Sequence, residues 1–462
     1  MPLKSKTIHR TQGARQPGGR AAVSRATAVL AAGCLISGLA GAQSLPELYE
    51  AARSYDAAYL AAKAQADSVR FRAEQAQALR RPSVDLNASA GQAEANSPPV
   101  PPADSRSWRG TSNAQADVTA TQWLYNAANS VSIDQAYRSL DIASSLVELA
   151  EQDLIVRVAQ AYFDVLAAQD SLGTAKTSKR AIGEQLASAK RNFEVGTATI
   201  TDTREAQARF DLANAQELAA ENELQSRRIT LESVVGRSNI TPKALAVPVA
   251  LPKLAPADVN SWANAADEVH PAVRKARLDL EVARLETEKA RATDGPTLAL
   301  RGSVASSYSA GSAVPFDGNT VSASVGVQFK MPLYSGGQLQ NRVKESLSLE
   351  EKSRNDLDAA RRLVAQNTRT TFFNLNSLQA QVKAFEAAES SSQLALEATQ
   401  LGYKVGVRVN LDVLNAQTQL FTTQRDLAKA RYDVVLTGLK LRQASGQLKP
   451  DDVNAVNRLF RK

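Results

Sequence analysis

The feature that most limits what this chain can fold into is that it is written twice. Phe193-Glu-Val-Gly-Thr-Ala-Thr-Ile-Thr-Asp202 reads against Tyr403-Lys-Val-Gly-Val-Arg-Val-Asn-Leu-Asp412, with the aromatic, Val-Gly and Asp positions in step. The same spacing, about 210 residues, sets Tyr162-Phe163 on Phe372-Phe373, Ala206-Gln207 on Ala416-Gln417, and Leu231 with Gly236 on Leu441 with Gly446. A slightly different spacing matches Trp123-Leu124-Tyr125 to Pro332-Leu333-Tyr334, and Pro82 through Leu86 to Pro296 through Leu300. Two tandem copies of one unit follow, residues 43–240 and 263–448, joined by a linker at 241–262 and trailed by 449–462.

Each copy runs helix, two strands, very long helix, Gly turn, helix. Leu45, Leu48, Ala51, Ala52 and Tyr55 fall at helical spacing, and Pro82 closes that segment. Val84, Leu86, Ala88 and Ala90 then alternate with polar residues, as do Ala114, Ala116, Val118 and Ala120. The second copy repeats the alternation from Leu298 and again from Val321 to Phe329. The expected strands are 82–91, 111–124, 296–308 and 320–334, half-polar and about ten residues long, the reach of a tilted strand in an outer membrane. Long Gly/Pro/Ser-rich connections, 94–110 and 309–319, join them. From Asn129 to Glu194 there is no proline, so that helix would extend on the order of 100 Å. Shorter helices placed end to end would match it: the one from Thr203 with the one from Trp262, and the one from Val413 with the amino-terminal helix 45–81.

Charge and compartment come next. Lys and Arg number 55 and Asp and Glu 47, a net +8, but six of those cations lie in residues 1–42 with no acid among them. The rest mixes both signs, which argues against a nucleic-acid surface. A basic stretch ending at Arg25, an apolar run from Ala26 to Ala40 and the small residues Ala40-Gly41-Ala42 read as a signal peptide, 1–42. Cys34 is read as part of its apolar run in preference to a lipidation site. Behind the leader there is no cysteine and only His270, which argues strongly against Cys/His zinc sites, disulfides and Cys-His or Ser-His-Asp nucleophile systems. His270, just before Pro271, reads as a structural residue at a helix start. No cofactor loop is present, and the chain is not expected to be an enzyme. No stretch beyond residue 42 supplies the ~20 apolar residues of a spanning helix, so strands are the only route through a membrane. Four strands do not close a barrel, for which about eight is the working minimum, so a barrel must be shared between chains. A periplasmic coiled-coil rod or adaptor is the competing class.

The duplicated plan, the tips Phe193-x-Val-Gly-Thr-x-x-x-x-Asp202 and Tyr403-x-Val-Gly-x-Arg408-x-x-x-Asp412, and the Leu124-Tyr125 and Leu333-Tyr334 strand exits resemble TolC-type outer membrane efflux and type I secretion channels, across residues 44 to about 455. The resemblance implies a mainly α, α+β membrane protein: a homotrimer whose 12-stranded outer-membrane β-barrel continues into a long periplasmic α-helical barrel, with an equatorial belt near 241–262 and 449–462. It implies a passive conduit without cofactor or catalysis, working with a periplasmic adaptor (membrane fusion) protein, an inner-membrane ABC or RND transporter, and outer membrane lipid. It does not separate protein secretion from small-molecule efflux. The tips Val195-Gly196-Thr197 and Val405-Gly406-Val407 would dock the adaptor, although the glycines are also what a tight helix-helix turn requires. Asp202, Tyr403, Arg408 and Asp412 would latch the periplasmic entrance, while Asp202 and Asp412 also suit helix starts. Asp412 would form an acidic ring at the constriction; the family's second acid, one turn on, is Asn415 here, which weakens the expected cation selectivity. Trp123, Tyr125 and Tyr334 would sit at the membrane interface or pack the barrel onto the helices.

Overall fold

The computed structural model describes residues 43–98, 107–246, 255–312, 314 and 317–460. The expected leader with Cys34, the prolines from 99 to 102, the middle of the linker at 247–254 and residues 461–462 lie outside the described residues. From Gln43 onward the chain is one unit. The first copy runs α1 (Leu45–Tyr55), α2 (Ala57–Gln77), β1 (Ser83–Ser97), β2 (Ser107–Asn126), α3 (Ala127–Glu194) and α4 (Ile200–Val235). The second runs α5 (Val259–Val269), α6 (Pro271–Ala292), β3 (Thr297–Ala310), β4 (Gly318–Lys330), α7 (Gln338–Lys404) and α8 (Asn410–Ala444), followed by α9 (Pro450–Asn457). None of the described helices is long and apolar enough to cross a membrane.

Two helices expected to be continuous are broken, at equivalent places. Residue 270 precedes proline, which disfavours the helical conformation there, and Asp56 is a favoured helix cap. Both residues are extended and cap the helix that follows: the Tyr59 amide donates to Asp56 Oδ1 at 2.8 Å, and the Ala272 amide to His270 Nδ1 at 3.1 Å. His270 is buried, which pushes its pKa down and favours the neutral ring that accepts this bond.

The end-to-end stacking is also exchanged relative to the expectation. Gly236 and Gly446 close α4 and α8 in left-handed conformations, φ +72° and +71°. A Cβ on Gly236 would lie 2.3 Å from Tyr55 Cγ, and one on Gly446 2.4 Å from His270 Cα. The end of α4 therefore abuts the α1–α2 joint and the end of α8 abuts the α5–α6 joint. Thus α4 stacks with α2 along α3, and α8 with α6 along α7, each copy supplying both halves of its own composite helix. The Tyr55 ring and the His270 backbone approach this closely because glycine has no side chain and tolerates positive φ.

The strands form one antiparallel sheet in the order β1-β2-β3-β4. All differ from their expected ends. β1 and β2 extend through Glu94↔Gly110 and Ala95↔Arg109 into segments read as loop, because ladder hydrogen bonds need no alternation of side chains. β3 and β4 likewise extend to Ala310 and back to Gly318. β4 stops at Lys330, just before Met331-Pro332, where a proline cannot donate to the ladder.

A buried aromatic group fastens the middle of the unit. Tyr162, Phe163 and Phe460 meet with ring centroids 5.3–6.1 Å apart, and Tyr432 lies 5.9 Å from Phe163. The Tyr162 hydroxyl accepts from the Lys243 amide at 2.8 Å and donates to the Lys243 carbonyl at 3.1 Å. Bridges Gln43↔Pro242 and Leu245↔Phe460 bind the amino-terminal, linker and carboxy-terminal segments to this group. Beside it, Arg157 holds Asp56 with two bonds of 2.7 and 3.0 Å, which keeps the Asp56 carboxyl below its ordinary range. Because that folded pKa is depressed, the pairing contributes fully above the unfolded carboxylate value, about 3.9, and is lost as pH falls through the lower folded one. We expect Asp56→Asn to cost about 2 kcal/mol at neutral pH, through the lost charge-assisted pair with Arg157, since asparagine caps a helix as well as aspartate does. It should also remove part of the stability loss below about pH 4. Thermal unfolding in detergent, followed by circular dichroism across pH, checks both.

Candidate functional site

Two regions gather the candidate residues: the helix tips and the sheet. At the first tip α3 ends with Val195 N donating to Arg191 O at 3.1 Å and Thr197 N to Asn192 O at 2.8 Å, around Gly196 at φ +77°. At the second, Val405 N donates to Leu401 O at 3.1 Å and Val407 N to Gly402 O at 2.9 Å, around Gly406 at φ +82°. These bonds satisfy the last carbonyls of α3 and α7 and reverse the chain within a few residues. Val195, Val405 and Val407 are 65–76% exposed, and Thr197 is exposed too.

The structure places the four expected latch residues here and gives them unequal work. The Asp202 carboxylate accepts from the Thr199 amide at 3.0 Å and hydroxyl at 2.7 Å, closing the start of α4. Asp412 accepts from the Val409 amide at 3.4 Å and faces Arg408 Nη1 at 3.6 Å, within its own hairpin. Asp202 and Arg408 are therefore each engaged locally and are not a pair within the chain. Of the four side chains, Tyr403's is the one that bonds from one hairpin to the other among the described residues, its hydroxyl accepting from Asn192 Nδ2 at 3.1 Å.

Sequence reading passed over the other crossings. Gln185 donates to the buried Asn410 side chain, whose Nδ2 lies 3.5 Å from the Asp202 carbonyl oxygen. Arg209 Nη2 donates to Asn415 Oδ1 at 3.0 Å, so the position that would carry a second acid is a neutral amide paired with a cation. Under these bonds runs an apolar seam of Ile182, Leu186, Ala189, Ala206, Ala213 and Leu414. A signal was available: in the other copy Asn192 is matched by Gly402, and Asn410 by Ile200. Polar residues that break the repeat are where the two hairpins must differ.

The sheet has two chemically distinct faces. Val84, Leu86, Val118, Val304, Val325 and Val327 share one, all 44–80% exposed. The other carries Asp85, Asn87, Asp117, Ser303 and Ser324, with Asn87 Nδ2 donating to Asp117 Oδ2 at 3.0 Å and the two serine hydroxyls 2.9 Å apart. The three expected interface aromatics gather at one end of the sheet, where β2 and β4 run out. A bulge at Leu124 separates Trp123, half-buried opposite Ala299, from Tyr125, exposed opposite Leu298. Tyr334 is 89% exposed and lies beyond the end of β4. Phe329 stands beside Leu298 at that end of the apolar face, and Tyr308 and Trp108 are exposed at the other. Among the described residues no group of three or more His, Cys, Asp or Glu could hold a metal.

The family model described as outer membrane efflux protein matches residues 48–237 and again 262–447, one match per copy. Over 428 residues the chain is 32% identical to outer membrane protein TolC of Vibrio cholerae, covering 91% of this chain and 95% of that one. It is 35% identical over 309 residues to the alkaline protease secretion protein AprF of Pseudomonas aeruginosa, 66% of this chain and 64% of the relative. The crystal structure of the outer membrane protein VceC of Vibrio cholerae superposes with a TM-score of 0.71 at 19% identity, over 87% of this chain and 96% of that one.

If the Asn192–Tyr403 and Asn410 bonds hold the hairpins together, Tyr403→Phe with Asn410→Ala should raise amide hydrogen exchange across residues 402–412 roughly tenfold, the weight of one or two net hydrogen bonds. Exchange in the central aromatic group should not change.

Proposed function

The chain belongs to the outer membrane efflux protein family, and on that premise we propose that it is the outer-membrane channel-tunnel of a tripartite export system, a passive conduit for type I protein secretion, small-molecule efflux or both. The observation that carries this is the sheet. Among the described residues no helix covers its apolar face, which is backed by a polar face, the arrangement of a strand wall between lipid and water. A periplasmic rod or adaptor has no use for such a face. The family model is described for efflux, and the Pseudomonas aeruginosa relative is named for secretion.

In this reading three chains contribute four strands each to a 12-stranded barrel in the outer membrane, and their helices continue it as a tunnel through the periplasm. The inner-membrane ABC or RND transporter delivers cargo, and the adaptor docks on the exposed Val195-Gly196-Thr197 and Val405-Gly406-Val407 tips. Tyr403 with Asn192, and Asn410 with Gln185, restrain the hairpins within a chain. Asp202 and Arg408, each held locally, can exchange those partners for a neighbouring chain, an Arg fork being suited to a carboxylate. Breaking several such links would let the inner hairpins swing outward. Asp412 repeated three times gives an acidic ring, and the Asn415–Arg209 contact removes the second ring the family often carries.

The detergent-corrected native mass tests the assembly: about three monomer masses is expected, and a folded monomer overturns the shared barrel. In planar bilayers Arg408→Ala and Tyr403→Phe should each raise single-channel conductance; unchanged values in both contradict the latch. Asn415→Asp should increase block by multivalent cations, and more strongly when Arg209→Gln removes the cation that would neutralise the new carboxylate.

A further inference from the structure

Five charged side chains share the polar face of the sheet: Asp85 on β1, Arg109 and Asp117 on β2, Arg301 on β3 and Lys330 on β4. Arg109 lies at the outer end, opposite Ala95. Asp117 is held against the wall, its carboxylate accepting from Asn87 Nδ2 at 3.0 Å and from Thr119 Oγ1 at 3.2 Å. Arg301 has no such bond among the described residues; it is exposed, between Thr121 and Gly326 on the neighbouring strands. A Cβ built on Gly326 would meet nothing within 4 Å, so the Arg301 side chain is not folded down over β4. We propose that Arg301, supplied once by each of three chains, forms an anion-binding ring inside the barrel, and that its ligands are multivalent anions, solutes with several phosphates or carboxylates. This rests on the shared-barrel reading and adds a substrate class to it.

Three-fold symmetry puts the copies of any one residue at one height whatever the register of the joints between chains, so Arg301 forms a ring in any of them. Twelve strands about 4.8 Å apart and tilted by about 40° close on a backbone radius of roughly 12 Å. An extended arginine carries its guanidinium roughly 6 Å from Cα, about twice the reach of an aspartate carboxylate. The three guanidinium groups therefore stand about 6 Å from the axis, inside the ~8 Å Debye length at physiological salt, and about 10 Å from one another. The carboxylates of Asp85 and Asp117 stay about 9 Å out, beyond that length. A solute on the axis thus meets the cations at close range and the acids only through screening water.

Lys330 makes a second ring, opposite Thr297 and about 13 Å along β4 from Gly326 toward the helices. It is the last residue of β4, where the wall passes into the helices. A lysine is a point charge, whereas a guanidinium offers a planar fork that holds a phosphate or carboxylate with two bonds, so the Arg301 ring is the tighter site. A small anion reaches one of three forks about 10 Å apart, and a solute with several anionic groups spans at least two, which makes valence the selecting property. The sign is opposite to that of the Asp412 ring proposed for the tips, so the two ends of the conduit hold solutes of opposite charge.

Block of single-channel current in planar bilayers tests the ring. The bulky helical body does not cross the membrane, so the barrel end faces the chamber opposite the one to which protein is added. Inositol hexakisphosphate in that far chamber should interrupt the current at much lower concentration than inorganic phosphate does. The block should fade toward 1 M salt, where the Debye length is about 3 Å. Arg301→Gln should need about tenfold more inositol hexakisphosphate for half block, and Arg301→Lys about threefold more, because it keeps the charge and loses the fork. The native mass of each variant verifies assembly. Equal block of the unaltered protein and Arg301→Gln overturns the ring and leaves the conduit standing, as does loss of block in Lys330→Gln but not in Arg301→Gln. Channels of the unaltered protein that conduct without being blocked overturn it in the same way. No conductance from protein of trimeric mass overturns the conduit reading itself, and the ring with it.

Discussion

An unpaired strand edge in hydrocarbon leaves a row of amide and carbonyl groups with no water to bond, at several kcal/mol for each. A four-stranded sheet with an apolar face has two such edges, and nothing in the sheet itself removes them. In the proposed assembly the remaining features follow from supplying those edges with partners: other copies provide strands, the copies are held at one height, the long helices continue the wall they make, and the tips mark its far end.

Holding copies at one height requires stiff, reproducible lengths. α3 and α7, 68 and 67 residues, set that length, and each is matched by two shorter helices that meet at a joint. Gly236 against Tyr55 and Gly446 against His270 fix the joints so closely that a methyl group does not fit. The ring group of Tyr162, Phe163, Tyr432 and Phe460 lies between them and gathers three separate chain segments. Loops are thereby moored to the buried aromatic group.

The repeat, the long helices and the existence of four strands were legible in the sequence because each rests on a periodicity. What escaped was set by contact. The breaks at Asp56 and His270 carry weak local signals, a cap residue and a Pro271 after the break, that helical periodicity outweighed. The exchange of stacking partners came from two glycines whose neighbours are more than 170 residues away. At the tips the motif located Asp202, Tyr403, Arg408 and Asp412 but not their partners. Asn192, Gln185, Asn410 and Arg209 belong to no motif, and only their departure from the matching copy distinguishes them. Strand ends were misplaced because backbone pairing runs on through residues such as Asn96 and Trp108 whose side chains show no alternation.

The sheet's order also sets a sequence of events in time. β1 with β2 and β3 with β4 are neighbours in the chain and can form as hairpins soon after synthesis. The β2–β3 joint, by contrast, brings Ser112 to Ala310 across the whole of α3 and α4. Such a closure is slow compared with a hairpin. Each hairpin therefore waits in water with one face of valine and leucine bare, first for the rest of its own chain and, in the proposed assembly, then for another. During that interval the chain is most exposed to aggregation, and an escort covering the bare faces would speed nothing yet decide the yield.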